Sequence, residues 1–167
     1  MSQTNRNILN ASDGSFRIDD NFCITPMTKW EDIVNYFDQY RVKIYDYGEF
    51  IGNINVHSTI RFKGYGNSNA GNINARNVEI DGYWFIFTFS FLRSMLQEIS
   101  FVVDDKEFDP LPSWESWSEE KEMQHLKFGE NWLYQQTGTM ERFFHWGVIY
   151  AYYDSKVGGT HIGLKYG

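Results

Sequence analysis

A single cysteine, Cys23, excludes an internal disulfide, so the core of this chain must hold without a covalent staple. One unpaired thiol suits a reducing compartment. Proline is nearly as scarce, at three in 167 residues, so long stretches are free to form regular structure. No long apolar run is present either. The most apolar stretch, Tyr83 to Phe91, is far too short to cross a bilayer as a helix. The polar start Met1-Ser2-Gln3-Thr4-Asn5-Arg6-Asn7 leads into nothing like a signal peptide. These shortages point to a soluble, cytoplasmic protein with no membrane partner.

Basic charge is the remaining shortage. Fifteen Lys and Arg face twenty-two Asp and Glu, for a net charge of −7. General nucleic-acid binding needs a basic stripe to neutralise phosphates; none is visible, so nucleic acid is not expected as a partner. An acidic surplus suits a basic protein, because opposite fields speed encounter. It serves solubility equally well, and charge alone does not choose between the two.

Aromatic residues are abundant, at 19% of the chain. Such side chains bury large areas and favour strands. With 167 residues the chain fits one domain. Residues 1–14 are polar, end in Asp13-Gly14, and are expected to form a flexible tail, with one α+β domain over 15–167. Phe16 and Ile18 alternate with polar neighbours as a short edge strand. Thr28-Lys29-Trp30-Glu31 has capping-box spacing, and Trp30, Ile33, Val34 and Phe37 form one apolar helix face, so a helix is expected from Lys29 to Tyr40. Ile54, Val56, Ile60 and Phe62 share one strand parity. Gly64 to Asn77 is rich in Gly and Asn and reads as a loop, either a binding loop or a plain hairpin connection.

Val78 to Phe91 reads as one long strand, with Phe85, Phe87, Phe89 and Phe91 facing a core. After a turn over Leu92 to Leu96, Ile99, Phe101 and Val103 continue antiparallel. Ser116 and Glu119 have capping-box spacing for a second helix from Trp117 to Gln136, with Gly129 inside it and Gly138 as its stop. Phe144 to Tyr153 and Thr160 to Tyr166 close the chain as a hairpin, which sets His145 and His161 across from each other. No βαβ alternation appears. The fold class is therefore α+β: a single domain with an antiparallel sheet, two main helices on one face and a C-terminal β-hairpin.

Catalytic motifs are hard to find. The four histidines, His57, His125, His145 and His161, lack zinc-site spacing, and no cysteine pair exists, so no metal or other cofactor is expected. There is no Gly-x-Ser-x-Gly elbow, and Gly64-Tyr65-Gly66 lacks the context of a phosphate loop. No catalytic residue is assigned and no enzymatic activity is expected. Paired carboxylates are the exception. Asp104, Asp105, Glu107 and Asp109, followed by Glu115, Glu119, Glu120 and Glu122, offer acids for hydrolysis, although acids at a helix start also answer its dipole.

The same acidic band contains Trp114 and Trp117, and aromatic anchors within a charged rim have the anatomy of a binding hot spot. The candidate partner-binding residues are therefore Asp104, Asp105, Glu107, Asp109, Trp114, Glu115, Trp117, Glu119 and Glu120. Ser113-Trp114-Glu115-Ser116-Trp117-Ser118-Glu119-Glu120-Lys121, Asn131-Trp132-Leu133, His145-Trp146-Gly147-Val148-Ile149-Tyr150 and Tyr153-Asp154 resemble small bacterial proteins of polymorphic toxin systems, contact-dependent or secreted. The resemblance covers roughly residues 113–166 and rests on structural motifs. It implies a cytoplasmic immunity protein that binds and blocks a cognate toxin, and it carries over no functional residue. The leading expectation is an immunity-type inhibitor of a toxin domain, such as a basic nuclease. A carbohydrate- or small-ligand-binding module is the alternative, and a hydrolase using paired carboxylates is the third reading.

Overall fold

The computed structural model describes residues 7–40, 45–46, 49–50, 70–93, 95–108 and 117–167. The alternating stretch around Ile54 to Phe62 lies outside them. The elements are β1 (Phe16–Asp19), β2 (Phe22–Ile24), α1 (Trp30–Tyr40), β3 (Tyr45–Asp46), β4 (Glu49–Phe50), β5 (Ala70–Ile80), β6 (Tyr83–Leu92), β7 (Met95–Asp104), α2 (Glu119–Thr137), β8 (Phe143–Phe144), β9 (Gly147–Asp154) and β10 (Gly159–Tyr166). The main sheet has six antiparallel strands in the order β5-β6-β7-β10-β9-β8. This is the α+β architecture expected, with the C-terminal hairpin built in beside β7.

The phenylalanines of β6 organise the core. Phe85, Phe87 and Phe89 are fully buried and stack along the strand at centroid spacings of 5.1 Å. Phe16, from β1, plugs into them, 5.8 Å from Phe85, 5.4 Å from Phe87 and 5.6 Å from Phe101. α2 covers the same face through Trp132, 5.4 Å from Phe85, and α1 covers the far end through Phe37 on Phe89 and Trp30 on Phe91. Both helices thus lie on one face. Edge-to-face pairs of this kind contribute about 0.5–1.5 kcal/mol each beyond the area they bury. On the opposite face the strands present polar groups. Thr88 donates to Asn74, and the Tyr150 hydroxyl donates to the Glu98 carboxylate. Burial, followed by that carboxylate, pushes the Tyr150 hydroxyl well above the ordinary tyrosine range.

Several local expectations are corrected. Residues 7–14 do not form the expected flexible tail: Ile8 and Leu9 are core residues, with Leu9 0% exposed. Gln136 Oε1 accepts from both their N–H groups, Trp146 Nε1 donates to Ala11 O at 2.8 Å, and Tyr166 Oη donates to Gly14 O at 2.7 Å. The polar side chains there face outward, while two apolar ones suffice to anchor the segment. The expected strand Val78–Phe91 is two strands. Asp81 and Gly82 take positive φ of 52° and 86°, making the two-residue turn that matches strand twist, so Ile80 pairs with Tyr83. β5 begins at Ala70, so the later part of the expected Gly/Asn loop is strand.

The helix caps move as well. Asp32, not Glu31, accepts from the N–H at the start of α1, that of Lys29, and Thr28 Oγ1 accepts from Thr25 N instead. α2 begins two residues later than expected, with Ser118 as its cap, because the Ser118 hydroxyl accepts from Lys121 N. Gly138 ends α2 as expected, in the left-handed region with its N–H on Tyr134 O. The first strand of the closing hairpin is shorter than expected, since the chain turns at His145-Trp146 and Phe144 pairs with Gly147. His161 therefore lies opposite Tyr152 rather than His145.

Gly129 explains itself by a close approach. A Cβ there would meet Ile162 Cδ1 of β10 at 2.1 Å. Gly129→Ala is therefore expected to lose about 1–2 kcal/mol, as overpacking outweighs the roughly 1 kcal/mol gained in helix propensity. In an Ile162→Val background, which lacks the clashing methyl, the same change should instead gain about 1 kcal/mol of helix propensity. Urea midpoints of the four proteins in this cycle check it, and strictly additive losses would contradict the proposed clash.

Candidate functional site

Three separated segments meet at one end of the sheet: the end of β7, the first turn of α2, and the turn between β9 and β10. Trp117 Nε1 donates to Gly158 O at 2.7 Å, which fixes the indole against the hairpin turn just before α2 starts. One turn into the helix, Glu122 Oε2 accepts from Thr160 N at 3.0 Å, and Glu122 O accepts from Thr160 Oγ1 at 2.7 Å. Farther along, His125 Nε2 lies 3.6 Å from Asp104 Oδ2 at the end of β7. Asp105 N donates to Asp104 Oδ1, turning the chain away from the sheet. Phe108 then rests 5.8 Å from the His125 ring, and its N–H and C=O are both taken by the side-chain amide of Asn77 on β5.

The described members of the sequence-derived set fall on two of these three segments. Asp104, Asp105 and Glu107 stand at the β7 end, and Glu119 and Glu120 stand exposed in the first turn of α2. Trp117 is 41% exposed between them and the hairpin turn. Asp109, Trp114 and Glu115 lie outside the described residues. The helix start tolerates its three acids because free N–H groups there carry partial positive charge.

The structure also adds members outside the candidate partner-binding set. Tyr153 and Asp154, at the end of β9, belong to the same surface. Partial burial, then the charges of Glu119, Glu122 and Asp154, hold the Tyr153 hydroxyl above its ordinary range. Glu122 was visible within the acidic band, but its pairing with Thr160 was not. No local signal joins residues thirty-eight positions apart; only the hairpin's register does.

Asp104 is the electrostatically costly member. Burial raises its carboxyl pKa above 3.8, outweighing the lowering effects of the Asp105 N–H and of His125. The arrangement offers a fixed indole, exposed carboxylates and a tyrosine hydroxyl held above its ordinary range. Among the described residues no group of three His, Cys, Asp or Glu is arranged to hold a metal ion. The four same-face phenylalanines of β6 are all core and offer no stacking platform. A polar groove of about 450 Å³ lies elsewhere, lined by Asn7, Asn10, Arg17, Asp19, Phe22 and Cys23. It sits by the last turn of α2, which Asn7 contacts through Gln136 O, whereas the acidic surface gathers around the first turn. No described helix is long and apolar enough to cross a membrane.

The Asp104 shift has a testable sign. A carboxyl raised above its unfolded value of 3.8 binds its proton more tightly in the folded state. Its contribution is therefore fully present below that pH and is lost as pH rises through the folded value. Asp104→Asn removes this loss, so its stability relative to the natural chain is expected to rise between acid and neutral pH. Urea midpoints measured across that range check it, and a constant difference would contradict the sign. No protein-family model, curated protein or solved structure matches this chain.

Proposed function

We propose that this chain is an immunity-type inhibitor, a protein that neutralises a cognate bacterial toxin domain by binding it through the acidic end. The observation that carries this reading is the meeting of three acid-bearing segments at one end of the sheet: the end of β7 with Asp104 and Asp105, the first turn of α2 with Glu119, Glu120 and Glu122, and the hairpin turn with Asp154, where the exposed Trp117 is hydrogen-bonded. A nuclease that grips phosphates does so with lysines and arginines. A surface of fixed carboxylates answers such a site, and long-range attraction speeds the encounter. The anchored indole supports the same reading, since an aromatic side chain ordered before binding loses little entropy on docking. On this reading the chain acts by binding rather than by catalysis, and it works in the cytoplasm, where its target would do harm.

The test is co-expression with a toxin domain encoded by the neighbouring reading frame. A complex should form at low salt and weaken steeply as salt rises. Trp117→Ala and the pair Glu119→Lys with Glu120→Lys should each weaken it about tenfold or more, with circular dichroism unchanged. If no complex forms at low salt, the proposal fails.

A further inference from the structure

β9 is a sheet edge that the described residues pair only in part. β8 pairs with it at Phe143↔Val148 and Phe144↔Gly147, and Ile149 N donates to Arg142 O at 2.8 Å. Among the described residues the pairing ends there. In an antiparallel ladder, successive residues point their main-chain groups to opposite sides. The bond from Gly167 N to Trp146 O sets the phase, so Val148, Tyr150, Tyr152 and Asp154 turn toward β10. Ile149, Ala151 and Tyr153 turn outward. The outward N–H and C=O groups of Ala151 and Tyr153 have no hydrogen-bond partner among the described residues.

The opposite margin is protected differently. β5 carries a bulge at Asn77, with φ 58°, and the Asn77 amide is taken up by Phe108. Bulges and covering segments blunt an edge against added strands. β9 has no bulge: its register with β10 runs unbroken from Gly147 to Asp154.

The surroundings of the open stretch select an occupant. Tyr153 stands on the helix side, within the field of Glu119, Glu122 and Asp154. Tyr152 stands on the other side, 51% exposed, with its ring stacked on His161 at 5.0 Å. A strand laid along this edge would send alternate side chains over the acids and over the tyrosine ring. A second copy of the chain would set these acids against their own duplicates, and facing like charges destabilise a strand pair.

We propose that the outer edge of β9, from Ala151 to Asp154, receives an extended segment of the partner protein as an added strand, with basic side chains alternating with apolar ones. The proposal rests on the reading that the acidic end binds a basic protein, and it specifies how that partner is gripped. Main-chain bonds supply the attachment, while the alternating side chains supply the selection.

The test uses the full chain and a short fluorescent peptide of alternating lysine and valine at low salt. The same peptide N-methylated along its backbone keeps every side chain but cannot pair. The unmethylated peptide should bind and slow amide exchange at Ala151 and Tyr153, while methylation should weaken binding about tenfold or more. Ala151→Pro should weaken binding similarly, because its N–H points outward and the β10 ladder survives the change. Equal binding of both peptides, with the two amides unprotected, would overturn the edge and leave charge-driven binding at the acidic end intact. Absence of peptide binding would also overturn the edge, and the toxin-domain complex, measured separately, tells that failure from failure of the inhibitor reading.

Discussion

The structure depends on hiding one face of β6. Phe85, Phe87, Phe89 and Phe91 project to the same side, and no single element is large enough to cover all four. Phe16 takes the middle, Trp132 of α2 one end, and Phe37 and Trp30 of α1 the other. Three separate parts of the chain must therefore arrive on one side of the sheet. Polar residues keep the other side, where Thr88 and Asn74 or Tyr150 and Glu98 satisfy one another.

That requirement makes α2 the beam of the molecule. Trp132 and Leu133 press into the core near its C-terminal half, and Gly129 lets β10 approach closely. Past the core contact, Gln136 gathers the N–H groups of Ile8 and Leu9. At the other end the helix start meets the β9–β10 turn and the end of β7. A helix of nineteen residues spans about 28 Å, so the two ends are well separated. Acids accumulate at one end and the N-terminal segment is stitched to the other.

The acidic end runs against folding in a small way. Asp104 sits where burial disfavours its charge, and Tyr153 faces three carboxylates. Local costs of this kind are common where a surface is shaped for a partner. The main-chain groups of Ala151 and Tyr153 beside it, unpaired among the described residues, are of the same character, since an unprotected edge invites pairing.

By itself the sequence determined the class and most of the parts. The period-two phenylalanines of β6, the apolar stripe of α1, the stop at Gly138 and the closing hairpin are local patterns, written in spacings of two to four residues. Its errors were also local. The Asp81-Gly82 turn lay inside what reads as one long strand, and each helix starts on a cap other than the one its spacing suggested. Asp104, Asp105, Glu107, Trp117, Glu119 and Glu120 were legible as a candidate set because they sit in one acidic stretch. Tertiary structure alone decided that Tyr153, Asp154 and Thr160 join them, and that residues 7–14 belong to the core. The physical reason is distance along the chain: periodicity reports which face a residue takes, whereas register and helix docking decide which faces meet.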